Sequence, residues 1–94
     1  MDDEHIVFRV HAIQRMFSRR ITVEDIRQVL AEGEVIEDYP DDFPYPSRLM
    51  LGWSGGRPIH VVAAHNKDSG ETIVITVYQP DPGRWESDFK RRRS

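Results

Sequence analysis

Along residues 9–19 the apolar side chains Ala12, Ile13, Met16 and Phe17 recur at i, i+1, i+4 and i+5, which predicts a helix with one apolar stripe. His11 and Arg15 lie four apart on one edge of that stripe, and Arg19 extends the row by a further turn. Thr22 followed by Asp25 reads as a capping box with a short acid, and Val23, Ile26, Val29 and Leu30 form the apolar face of a second helix that Gly33 ends. Only Arg20 and Ile21 separate the two patterns, so the helices are expected to be neighbours. After Gly33 the period changes. Residues 35–39 read as a short strand, and residues 40–46, with three prolines, form the one long loop. Residues 48–53, 59–66 and 72–79 read as three further strands, the first two joined by the hairpin signal Ser54-Gly55-Gly56-Arg57.

Turn chemistry then sets which side chains share a face. Asp68-Ser69-Gly70 fits a three-residue hairpin loop that puts Lys67 opposite Glu71, and hence His60 opposite Tyr78 and Val62 opposite Thr76. The other hairpin puts His60 opposite Leu51. One face is expected to carry Leu49, Leu51, Trp53, His60, Val62, Ala64, Val74, Thr76 and Tyr78. The other carries Met50, Ile59, Val61, Ala63, Ile73, Ile75 and Val77; being aliphatic, it is the face the helices should cover. The mixed face with His60 is then partly open and the expected working surface. The fold class is α+β: two N-terminal helices packed on one face of a four-stranded, mainly antiparallel sheet. A chain of 94 residues supports one such core, so residues 1–94 form a single domain. Residues 1–5 read as a flexible N-terminus and residues 90–94 as a basic C-terminal tail.

Composition narrows the chemistry. The longest apolar run, Val61-Val62-Ala63-Ala64, is far below the ~20 residues of a membrane-spanning helix, and no secretory pattern opens the chain, so a cytoplasmic protein is expected. With no cysteine there is no disulfide, thiol nucleophile or cysteine-ligated zinc. The four histidines do not make a metal site either. His60 and His65 are five apart in one strand and point to opposite faces, and His5 and His11 have no third ligand, so no metal and no cofactor is expected. The net charge of −3 argues against a uniformly basic RNA coat. The acids, however, concentrate at residues 2–4, 32–42 and 86–88, which leaves room for a local basic patch from Arg15, Arg19, Arg20 and Arg48.

What remains is the set His11, Arg15, Arg20, His60, Thr76 and Tyr78. Two histidines can act as general base and acid near neutral pH, arginines can hold a phosphate and the charge that builds on it, and a tyrosine can orient a histidine or donate a proton. These are the parts of metal-free RNA cleavage by the ribose 2′-hydroxyl. Each also has a structural reading: His11 and Arg15 as a solvated helix edge, His60 as a half-buried histidine bonded to Tyr78, and Thr76 and Tyr78 as ordinary strand formers.

The strings His11-Ala12-Ile13-Gln14-Arg15-Met16 and Arg20-Ile21-Thr22-Val23-Glu24-Asp25-Ile26 follow a familiar order. So do Gly33-Glu34-Val35-Ile36-Glu37-Asp38-Tyr39-Pro40, Tyr45-Pro46-Ser47, Leu51-Gly52, Arg57-Pro58-Ile59-His60-Val61-Val62, Thr76-Val77-Tyr78-Gln79-Pro80-Asp81 and Trp85-Glu86. In order and spacing they resemble the bacterial family called domain of unknown function 4258. That family is grouped with RelE-like and BrnT-like toxins, and its members are often encoded beside small antitoxin-like proteins with a zinc finger or a helix-turn-helix. The resemblance implies a RelE/barnase-like toxin fold and a metal-independent endoribonuclease of a type II toxin–antitoxin pair, with RNA and a cognate antitoxin as partners and no membrane. On this reading His60 and His11 are the acid and base, Tyr78 and Thr76 position His60, and Arg15, Arg20 and Arg48 bind phosphate. The rival reading is a non-enzymatic protein-binding module of the same fold, marked by dispersed histidines and an exposed apolar patch around Trp53, Phe43 or Tyr45.

Overall fold

A computed structural model describes residues 5–94. Met1 to Glu4, most of the expected flexible N-terminus, lie outside the described residues. The elements are β1 (Ile6–Phe8), α1 (Val10–Arg19), α2 (Val23–Glu32), β2 (Glu34–Tyr39), β3 (Ser47–Ser54), β4 (Arg57–Asn66) and β5 (Glu71–Tyr78). They form an α+β fold with a five-stranded sheet in the order β1-β5-β4-β3-β2, antiparallel except for β1, which runs parallel to β5. The expected four strands are therefore five. The additional strand is three residues long, too short to show an alternating pattern, and its pairing with Thr72, Ile73 and Val74 is a long-range contact.

Local chemistry explains the helix ends. Thr22 accepts from the Asp25 amide at 3.1 Å while the Asp25 carboxylate accepts from the Thr22 amide at 2.9 Å, completing the capping box. Burial pushes the Asp25 carboxyl up, but hydrogen bonds from Ser54 and Thr22 and the charge of Arg57 outweigh it and hold it below the ordinary carboxylate value. Gly33 ends α2 for a reason of space: a Cβ there would lie 2.5 Å from the Val29 carbonyl oxygen and 2.7 Å from that of Leu51. Arg20 terminates α1 in the left-handed region at φ 54°, its amide turned back to the Phe17 carbonyl, which allows the two-residue link to α2.

The core lies between the helices and one sheet face, and gathers Ala12, Ile21, Ile26, Val29, Ile59, Val61, Ala63, Val74 and Val77. His60 pairs with Tyr78 and Leu51, and Val62 with Thr76, as expected. The hairpin at Asp68-Ser69-Gly70 differs. Asn66, not Lys67, opposes Glu71, and an irregularity between Val62 and Ala63 absorbs the extra residue on β5. Two offsets cancel beyond the bulge, so the His60–Tyr78 pair is unaffected. Before the bulge the faces exchange: Val74 turns to the helix core, and Ile73 lies opposite Ala64 on the other face.

The open face is also narrower than expected. Residues 80–93 fold back across it, and Trp85, 3% exposed, packs its ring on His60 with centroids 4.5 Å apart. Phe89 meets Trp53 edge to face at 6.0 Å. The basic run is tied down throughout: Lys90 pairs with Glu34 (2.8 Å), Arg91 with Asp88 (3.2 Å), Arg92 with Glu37 (3.1 Å) and Arg93 with Glu86 (3.6 Å).

Candidate functional site: a cationic cleft beside the edge of β5

β1 covers β5 only as far as Val74. Beyond that point the edge of β5 has no strand neighbour among the described residues, and α1 packs against β5 there, with Ala12 buried between them. This offset brings the helix row to the strand. His11, Arg15 and Arg19 project from successive turns of α1 and, with Thr76 and Tyr78 of β5, line one open cleft of about 610 Å³. Its far wall comes from the returning C-terminal segment, through Asp81, Arg84, Trp85 and Arg92.

The electrostatics of this cleft are one-sided. The side chains of Arg15, Arg19 and Arg84 make no ion pair with any described residue, and α1 contains no acid. Arg92 is held by Glu37 and lies 4.6 Å from the centroid of the Trp85 ring. Hydrogen bonding to Arg92 keeps the Glu37 carboxyl below its ordinary value against the opposing effect of burial, and desolvation of the half-buried Tyr39, together with its bond to Glu37, pushes that hydroxyl up to about 12. Asp81, the one acid lining the cleft among the described residues, accepts the Gly83 amide at 2.8 Å and closes the turn that delivers Arg84.

His60 is placed differently from the other expected residues. It is fully buried, with Nε2 2.8 Å from the Phe89 carbonyl oxygen and Nδ1 3.3 Å from the Tyr78 hydroxyl. Burial pushes its pKa down, more than the Phe89 carbonyl and Glu37 raise it. A carbonyl only accepts, so the neutral ring donates from Nε2 and accepts the Tyr78 proton at Nδ1. Both nitrogens are engaged, and the ring presents neither to the cleft. Desolvation raises the Tyr78 pKa, so its hydroxyl stays protonated.

Of the expected phosphate ligands, Arg15 lies in the cleft, whereas Arg20 and Arg48 lie elsewhere. The Arg20 carbonyl accepts from Arg57 at 2.9 Å, and Arg48 lines a separate cavity on the helix side with Leu30 and Met50. Arg19 takes the place expected of Arg20, as the row at i, i+4 and i+8 implies. Arg84 and Arg92 were not legible as site residues, because only the fold-back of the chain after Pro80 brings them to β5. Among the described residues no group of histidines and acids could hold a metal ion. No helix among them is long and apolar enough to cross a membrane.

The chain matches the family described as domain of unknown function 4258 over residues 8–79, and it belongs to that family. The matched stretch contributes His11, Arg15, Arg19, Thr76 and Tyr78 to the cleft, and the segment beyond it contributes Arg84 and Arg92. No curated protein matches the chain, and no solved structure does.

Proposed function

We propose that the protein is a metal-independent endoribonuclease of the toxin kind, acting on RNA in the cytoplasm and neutralised by a cognate antitoxin. The observation that carries this reading is the convergence of His11 with Arg15, Arg19 and Arg84, which make no ion pair among the described residues, beside Tyr78 in a cleft open enough for a phosphodiester. The arginines hold the non-bridging phosphate oxygens and the negative charge that grows on them. His11 takes the proton of the ribose 2′-hydroxyl as that oxygen attacks phosphorus. The bond from phosphorus to the 5′ oxygen breaks, that oxygen takes a proton from a solvent water in the open cleft, and a 2′,3′-cyclic phosphate remains. The hydroxide so formed takes back the proton held by His11, while Tyr78, its own proton committed to His60 Nδ1, borders the cleft as a hydrogen-bond acceptor. His60 is a positioning residue here: with Nε2 engaged by Phe89, its Nδ1 orients the tyrosine, the reverse of the roles expected from sequence.

A non-enzymatic binding module is the second reading. It is favoured by Val10, Ile13 and Phe17, a stripe along α1 that is 70%, 41% and 83% exposed. An antitoxin of zinc-finger or helix-turn-helix type could use the same stripe. Induced expression in a bacterium of wild type, His11→Ala and Phe17→Ala separates the two. The nuclease reading expects growth arrest and RNA breakdown that His11→Ala abolishes at equal protein level and Phe17→Ala preserves. Intact RNA from a folded wild-type protein would favour the module.

A further inference from the structure

The cleft is not the only cavity that His11 lines. His11 also lines a second pocket of about 400 Å³, walled by Arg9, Asp42, Phe43, Pro44, Tyr45 and Ile73. Its volume falls in the ~300–1,000 Å³ range of small-ligand sites. Apart from Arg9, His11 and Asp42 the residues around it are aromatic or apolar, where the cleft gathers four arginines.

The loop that forms the pocket is held at both ends. The Asp42 amide donates to the Tyr39 carbonyl at 3.2 Å, the Ser47 hydroxyl donates to the Asp42 carboxylate, and Asn66 donates to the Tyr45 hydroxyl at 3.0 Å. Between these anchors Phe43 is 94% exposed, more than any other large apolar residue described. A pinned loop that leaves a phenyl ring in water offers a flat apolar surface to a flat partner. Arg9, exposed beside it, adds a cation.

We infer that this pocket is a nucleobase subsite, taking by stacking on Phe43 one base of a single-stranded RNA whose phosphate lies in the Arg15–Arg84 cleft. The inference rests on the RNA reading of that cleft and adds the base to the phosphate. Continuity through His11 supports it, because a nucleotide joins a charged phosphate and an aromatic base through one ribose. In that arrangement the ribose falls at the histidine. Stacking on one ring tolerates every base, so the subsite fixes the position of the strand and not its sequence.

The test is fluorescence anisotropy with a labelled 2′-O-methyl trinucleotide, which cannot be cleaved, and the same oligonucleotide with its central base removed. Phe43→Ala is expected to weaken binding of the complete oligonucleotide about tenfold. It should leave the abasic one unchanged, and Phe43→Trp should retain the affinity of wild type. Equal affinity of wild type for the two oligonucleotides, or a Phe43→Ala that weakens both alike, would overturn the subsite. If Arg15→Gln abolished binding while Phe43→Ala changed nothing, the cleft would stand and the base pocket would fall. Failure of wild type to bind either oligonucleotide would remove both.

Discussion

Two groups of basic residues have opposite fates in this protein. Lys90, Arg91, Arg92 and Arg93 are consecutive, and each is matched to an acid. Arg15 and Arg19 on α1 and Arg84 beyond β5 come from two distant parts of the chain and are matched to no acid among the described residues. The dense run is the one sequence reading singles out, yet it is the clamp that closes residues 84–93 over the sheet. The scattered set is the one left to meet an anion. The difference comes from the acids, not from the bases: Glu34 and Glu37 on β2 and Asp88 and Glu86 in the segment itself absorb the run, while α1 has no acid to absorb its own row. A net charge of −3 therefore coexists with a cationic cleft.

The comparison can be broken at the clamp or at the cleft. The largest effect should come from His60→Ala beneath the clamp. It removes a fully buried ring packed on Trp85 and leaves the Phe89 carbonyl and Tyr78 hydroxyl without their partner, at a cost of about 3 kcal/mol. Urea unfolding at neutral pH would measure it, and a loss under about 1 kcal/mol would contradict the packing described.

The cleft should respond in function and not in stability. Arg15→Gln and Arg84→Gln are each expected to weaken RNA binding by about tenfold or more, as removal of a hydrogen bond to a charged group does. Their exposed positions should keep the melting transition within about 0.5 kcal/mol of wild type. Equal losses from Arg91→Gln in the clamp would erase the distinction.

Acid should weaken the clamp side. His60 has a native pKa below its ordinary 6.5, so the unfolded chain binds more protons than the folded one as pH falls below that value. Its contribution is full above pH 6.5 and declines as pH falls through the window down to the lower native value. Wild type should therefore lose more melting temperature than His60→Phe between about pH 7 and pH 5. Parallel losses would show that His60 is not held neutral.

The smallest effect belongs to the half-exposed Arg92–Glu37 pair. Glu37→Gln should cost about 1 kcal/mol or less and become milder in high salt. A larger, salt-independent loss would show that Glu37 acts through Tyr39 instead.

The helices and most of the sheet were legible because their signals are local. Thr22 and Asp25 mark a cap within four residues, and the spacing of Val29 and Leu30 shows α2 its core side. What the sequence obscured depends on distance. β1 is strand by virtue of Val74 and its neighbours, and the bulge near Val62 moved Val74 to the opposite face without a signature of its own. On α1, Ile13 and Phe17 were expected inward with Ala12 and Met16; the helix rests on the single edge of β5, so only part of its apolar surface is covered. Turn chemistry alone pairs His60 with Tyr78, but the burial of His60 depends on Trp85 and Phe89, more than twenty residues later in the chain.

The most direct test of the central claim is incubation of purified wild type and His11→Ala with a single-stranded RNA in the presence of a chelator, followed by analysis of the product ends. The account predicts cleavage by wild type to 2′,3′-cyclic phosphate and 5′-hydroxyl ends, none on the 2′-deoxy counterpart, and none by a folded His11→Ala. Intact RNA with wild type, or undiminished cleavage by His11→Ala, would contradict it.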